Sequence, residues 1–228
     1  MENVVRVFST LALMGAVRNL AGQYEAGGGA RIDADFAPTV GLLKRLQAGE
    51  TADVLILTQE ALRDLATKGT VAPESCVDLA RSFVGIGVKA GAPRPDISTQ
   101  TALRAALLGA RAVAYSRIGA SGIFFADLIE RLGIASEINA RAVIVPSGFT
   151  GERLVSGEAD LAVQQVSELK LVPGVDVVGP ISLDLQTPAM FSAGRLAASK
   201  RAAQSDSLLK YLSSPDVAPA LRESGLEP

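Results

Sequence analysis

Three short stretches of this sequence gather hydroxyl groups and glycine just ahead of an apolar helical pattern. They are Ser9-Thr10-Leu11-Ala12, Ala37-Pro38-Thr39-Val40 and Ser116-Arg117-Ile118-Gly119-Ala120-Ser121-Gly122. A helix start has backbone N–H groups without intrahelical partners and a partial positive charge. Such a turn holds an anion without a full positive charge of its own. The hydroxyls of Ser9, Thr10, Thr39, Ser116 and Ser121 would add donors, and the glycines around Ala120, Gly119 and Gly122, would let a ligand approach the backbone. The competing reading is structural: Ser and Thr before a helix are ordinary N-caps. Two further residues join the candidates. Gln165 closes the apolar run Leu161-Ala162-Val163 beside Gln164, where it would either orient a ligand or satisfy buried backbone groups. Arg117 would either pair with a carboxylate in a two-pronged fashion or stay solvated.

The elements that must position these turns follow from the periodicity of apolar residues. Val4 to Phe8 reads as a strand, and Leu13, Ala16, Val17, Leu20 and Tyr24 fall on one helical face that Gly27-Gly28-Gly29 ends. Ala30 to Phe36, a helix from Pro38-Thr39, the strand Asp53 to Leu57 and the helix Glu60 to Thr67 continue the alternation expected of parallel βαβ units. Beyond residue 80, an extended run over 82–89 is followed by a helix over 99–108, a strand over 111–115, a polar turn over 116–122 and an amphipathic helix over 123–132. Strands over 142–145 and 160–164 flank a helix over 150–156; 175–178 and 183–191 read as extended, and helices over 206–212 and 215–222 close the chain. Those last helices have no sheet of their own to cover, so they are expected to pack back on the first half. The expected organisation is α/β and two-lobed, each lobe a mainly parallel sheet flanked by helices. Lobe one is residues 1–80 plus 192–228 and lobe two is residues 83–185, with hinge crossings near 80–82 and 185–191. All three hydroxyl-bearing turns then lie at strand carboxyl ends, the edge where ligands bind in parallel sheets.

Composition excludes several classes. The 228 residues contain no His, which removes the usual zinc ligand sets and every His-based triad. One Cys, Cys76, allows no intrachain disulfide and has no His to activate it. The net charge of −2, with both signs scattered, is not the basic footprint of a nucleic-acid binder. No stretch reaches the ~18 apolar residues of a membrane span, and no cofactor motif is found. Apolar residues from Leu11 to Val17 are broken by the flanking Arg6, Ser9 and Thr10, and Glu2 spoils the basic start of a secretion signal. A cytoplasmic location is expected if Met1 is the native start, and a periplasmic one if a leader has been removed.

The same residues resemble the periplasmic molybdate-binding proteins and their relatives among the solute-binding proteins, over nearly the whole chain. The stretches that carry the resemblance are Val7 to Leu13, Phe36-Ala37-Pro38-Thr39, Leu46-Gln47-Ala48-Gly49, Ala52-Asp53-Val54, Glu158 to Val163, Leu212-Ser213-Ser214-Pro215 and Leu221 to Glu227. The resemblance implies the type II periplasmic-binding-protein fold and a small anion held in an interlobe cleft. It implies an ABC-type membrane transporter as partner if the protein is exported. The chain departs from the family's pattern at its ligand positions. The first ligand Ser falls on Ala12, leaving Ser9 or Thr10; the second hydroxyl is kept as Thr39; a Pro-containing turn is replaced by Arg117 to Gly122; and the ligand Tyr falls on Gln165. Those changes open the ligand to small organic carboxylates beside molybdate-like oxyanions. Bacterial aconitate isomerases are similar in outline, and imply the alternative of a cytoplasmic isomerase of a di- or tricarboxylate. That chemistry needs a base beside the ligand, for which Glu152, Glu168 and Tyr115 are candidates and none is assigned.

Overall fold

A computed structural model describes residues 3–228; Met1 and Glu2, which enter the reading of the N-terminus, lie outside the described residues. The chain forms two compact units. The first runs to Ser82 and resumes at Ala189–Pro228, and the second is Phe83–Pro188.

In the first unit the alternation of strand and helix gives β1 (Val4–Ser9), α1 (Met14–Ala26), β2 (Arg31–Phe36), α2 (Thr39–Gln47), β3 (Val54–Thr58), α3 (Gln59–Thr67) and β4 (Val77–Ser82). The second unit contributes β5 (Val84–Lys89), α4 (Gln100–Gly109), β6 (Val113–Tyr115), α5 (Ala120–Arg131), α6 (Ala135–Asn139), β7 (Ala142–Ile144), α7 (Glu152–Val155), β8 (Leu161–Gln165), α8 (Val166–Leu169) and β9 (Val175–Pro180). The chain then returns to the first unit as β10 (Ala189–Arg195), α9 (Ala202–Leu212) and α10 (Ala218–Glu223).

The first sheet has the order β2-β1-β3-β10-β4 and the second β7-β6-β8-β5-β9. β1 is parallel to β2 and β3, whereas β10 is antiparallel to both neighbours, so four of the five strands share one direction. The second sheet repeats the scheme, with β5 as the reversed strand. In each sheet the reversed strand is the one that brings the chain in from the other unit. It therefore starts at the carboxyl edge of its sheet: Ala189 lies opposite Ser82, and Val84 opposite Gln165.

Side chains alternate across a strand, and this places apolar residues on both sheet faces. Val54 and Ile56 of β3 join a core with α1, α9 and α10. Leu55 and Leu57 face the opposite way, into a core with α2 and α3. The closing helices thus pack on the first unit, where Tyr24 of α1 stacks at 5.0 Å on Tyr211 of α9. In the second unit Val113, Tyr115 and Val163 pack against α4, α5 and α6, with the Phe125 ring edge-on to Tyr115 at 5.0 Å. The other face is floored by Ala112, Ala114 and Ala162, small enough to bring Leu154 of α7 and Leu169 of α8 close to the sheet. With no Trp, this packing of aliphatic residues supplies the stability; truncating one buried Leu to Ala costs about 2–5 kcal/mol.

Several local features differ from the expectation, among them the short helix Val166–Leu169 that directly follows β8. Val77–Ser82 is a strand, recruited because β10 offers it a free edge. Ala135–Asn139 forms a helix. Residues 183–188 do not extend the last strand; the buried amide of Gln186 holds them in a turn, accepting from Val84 N at 2.9 Å and donating to the carbonyls of Val84 and Ile181. The helix expected from Ile123 begins at Ala120, with Gly119 as its N-cap residue. Gly122 permits this: a Cβ there would overlap the Ser116 carbonyl oxygen, so only glycine lets the first turn of α5 press onto that strand end.

Candidate functional site

The candidate residues stand at the carboxyl edges of the two sheets. In the first unit Ser9 ends β1 in register with Phe36 of β2 and Ile56 of β3. Thr10 follows it and opens a 3-10 turn, Leu11–Leu13, that runs into the 13-residue α1. The Ser9 hydroxyl donates to the Thr10 carbonyl at 3.2 Å. Thr10 is 4% exposed, and its Oγ1 has no hydrogen-bond partner among the described residues. Thr39 starts α2, and its Oγ1 accepts from Thr58 N at 3.5 Å. Thr58, at the carboxyl end of β3, is a neighbour the sequence reading missed; the signal was the same as at the other two ends, a hydroxyl where an apolar strand meets a helix.

These contacts decide between the two readings of the turns as far as capping goes. No side chain caps the 3-10 turn after Thr10, α2 or α5. Thr99 shows what a cap looks like in this protein, its Oγ1 accepting from Ala102 N at 3.1 Å. The hydroxyls of Ser9, Thr39 and Ser116 are engaged elsewhere and that of Thr10 has no partner among the described residues, and the helix-start N–H groups keep their capacity for an external acceptor.

In the second unit Ser116 follows β6, and its Oγ accepts from Ile118 N at 3.3 Å in a short side-chain turn. Gly119 and the exposed Ala120 open the 12-residue α5, with Ser121 buried in its first turn. Arg117 is exposed and donates from Nη2 to Asn139 Oδ1 at 3.3 Å. Tyr115, buried beneath it, donates its hydroxyl to the same oxygen at 2.5 Å.

Gln164 and Gln165 end β8 and take different roles. Gln164 satisfies backbone: its Oε1 accepts from Thr150 N at 2.8 Å and from Thr150 Oγ1 at 3.0 Å, and its Nε2 donates to the Gly148 carbonyl at 3.2 Å. This pins the loop after β7, a further strand-end segment that the sequence reading did not single out. Gln165 caps α8 in a reciprocal box. Its side chain accepts from the Glu168 N–H, and the Glu168 carboxylate accepts from Gln165 N at 3.3 Å. Glu168 is 8% exposed, and no salt bridge engages it among the described residues. Burial pushes its carboxyl up to about 7, against the Gln165 N–H and the Gln164 side chain, which favour the charged form.

Of the three candidate bases, Glu168 is therefore the buried carboxylate at a strand's carboxyl end. Tyr115 is committed to Asn139, and Glu152 is exposed at the start of α7. Burial, with the charges of Glu74 and Asp78, pushes the Cys76 thiol up, which leaves it a poor nucleophile. No group of metal-ligating side chains is found among the described residues, and no helix among them is long and apolar enough to cross a membrane.

Two five-stranded sheets of matching order, each entered by one reversed strand and carrying polar turns at its carboxyl edge, define the type II periplasmic-binding architecture. The chain belongs to the bacterial extracellular solute-binding protein family, whose model matches residues 5–227. It is 38% identical to an aconitate isomerase from a Pseudomonas species, over 97% of this chain and 87% of that protein. The fold of the periplasmic molybdate-binding protein of Azotobacter vinelandii is similar, with a TM-score of 0.82 at 18% identity over 97% of this chain and 98% of that one. A sulfate-binding protein from Mycobacterium tuberculosis gives 0.75 at 15% identity, over 100% of this chain and 87% of that one.

Proposed function

We propose that this protein captures a small anion, an oxyanion or a small organic carboxylate, at the carboxyl-edge turns of its sheets. Ser9, Thr10, Thr39, Ser116, Gly119, Ala120, Ser121 and Gln165 are its contacts, and Arg117 is an added charged donor. The observation that carries this reading is Thr10: a buried hydroxyl with no partner among the described residues, at an uncapped helix start. Leaving such a group unpaired costs about 1–3 kcal/mol, a cost that a bound acceptor removes. A thermal-shift screen tests it. Molybdate, tungstate, sulfate and phosphate are set against citrate, cis-aconitate and trans-aconitate; a binder raises the melting temperature with concentration, and no rise with any of them would end the reading.

A second reading is favoured by the 38% identity to an aconitate isomerase over nearly the whole chain. Here the bound tricarboxylate is also converted. A base takes a proton from the carbon beside a carboxylate, the electron pair shifts along the allyl unit, and the protonated base, after or without exchange with solvent, or a second acid gives a proton to the far carbon. Deuterium incorporation into cis- or trans-aconitate in heavy water, followed by NMR, tests it. Binding without exchange would leave capture alone.

A further inference from the structure

The second unit holds a carboxylate that its structural duties do not require to be charged. Glu168 sits in the first turn after β8, three residues beyond Gln165, and its charged form is served by two donors, the Gln165 N–H and the Gln164 side chain. The elements packed against α8 bring no cation to it. β8 carries no charged residue, and on α7, whose Leu154 packs with Leu169, Arg153 pairs with Glu158 at 3.0 Å while Glu152 is exposed. On β5 the one charged residue, Lys89, donates to the Val155 carbonyl. On β9 Asp176 accepts from Gly91 N and pairs with Arg94 at 3.6 Å. Lys170, which follows α8, is exposed. Neither it nor any other charge is among the groups that shift Glu168.

We propose that the anion enters this site together with a proton, which Glu168 takes up. The inference rests on the anion reading above, in which Gln165 is a ligand contact. An anion held at Gln165 stands next to a buried carboxylate, and Arg117, the one cation among the proposed contacts, is exposed and is not among the groups that shift Glu168. In such surroundings like charges repel strongly, and the carboxyl responds by keeping its proton. Because the carboxyl of the free protein titrates at about 7, the exchange falls within the neutral range.

Calorimetry at pH 7 in two buffers of different ionisation heat reads the proton directly, with molybdate, sulfate and trans-aconitate as probes. The expected uptake is about half a proton per anion, with affinity about fivefold weaker at pH 8 than at pH 7. Glu168→Gln keeps a residue able to serve the capping box; it should bind with no uptake of this kind and a flat profile. Binding without proton uptake by the unaltered protein, or the same uptake in the variant, overturns the inference while leaving anion capture standing. If no probe binds at either pH, the anion reading falls and this inference with it. Should the variant fail to fold, the proton count of the unaltered protein decides alone.

Discussion

Glu168 also sets a prediction for the protein without ligand. In the unfolded chain its carboxyl titrates near the ordinary 4.5, and in the folded second unit at about 7. Between those values the folded state binds more protons than the unfolded one, so stability falls as pH rises. The protonated carboxyl's advantage is complete below 4.5 and lost by the time pH has passed 7. At about 1.4 kcal/mol for each tenfold step in acidity, the gap amounts to about 3 kcal/mol. Glu168→Gln should therefore match the unaltered protein near pH 4.5 and exceed it by about 3 kcal/mol at pH 8, since an amide can stand in the box without a charge to desolvate. Two compact units need not unfold together, so the measurement is best local: hydrogen exchange of the β8 and α8 amides by mass spectrometry, for both proteins across pH 5–8. Other carboxylates titrate identically in the two proteins and cancel. Parallel curves would refute the reasoning, because they would mean that burial does not raise this carboxyl.

Thr10→Val removes the unpartnered hydroxyl at nearly constant shape; it should raise the melting free energy by about 1 kcal/mol while weakening the anion about tenfold, as thermal melts and titration calorimetry would show. Thr39→Ala removes a hydroxyl at the start of α2 and should cost about 1–2 kcal/mol of binding, as for one hydrogen bond to a charged group; unchanged affinity would take Thr39 out of the site. Gly122→Ala forces a Cβ onto the Ser116 carbonyl and should displace the 116–122 turn, seen as faster exchange of the α5 amides and a loss of about 3 kcal/mol or more in the second unit. Arg117→Lys keeps the charge but loses the planar fork, so trans-aconitate should weaken about tenfold while sulfate holds within a few-fold; equal losses would deny Arg117 a two-pronged contact.

The elements were legible because the chain uses simple periods. The alternating Val54-Leu55-Ile56-Leu57 fills two cores from one strand, and the face Leu13, Ala16, Val17, Leu20 of the first helix is buried as its spacing requires. The elements that escaped lack such a pattern of their own. β4 owes its pairing to β10, more than a hundred residues away in sequence, and the turn over 183–188 is held by the long-range bond of Gln186 to Val84. The start of α5 was hidden because Gly119, Ala120, Ser121 and Gly122 have poor helix propensity as a group, and only the contact of Gly122 with the Ser116 carbonyl explains why the helix reaches back to them. At the site, residue types marked the turns but not their bonding. The sequence could not separate the duties of Gln164 and Gln165, because the partners that distinguish them, Thr150 and Glu168, are brought there by the loop after β7 and by α8.

On the anion reading proposed above, this edge differs from a cage of neutral donors. An oxyanion such as sulfate is satisfied by N–H and O–H groups alone, and a carboxylate near it is a liability. This chain keeps the uncapped helix starts, which serve any anion, but sets a buried carboxyl pushed up to about 7 next to one proposed contact and an exposed guanidinium near another. A polycarboxylate held as proposed would use both: the guanidinium would match one carboxylate group, and a carboxyl that carries a proton would lower the charge of the loaded site. For the isomerase reading, a Glu168 that gains a proton on binding would serve as the donor to the far carbon and not as the base, and the base that takes the first proton is unassigned. Exchange of the substrate's methylene hydrogens should then depend on Glu168, whereas binding to a pure receptor would survive Glu168→Gln with only its pH profile changed.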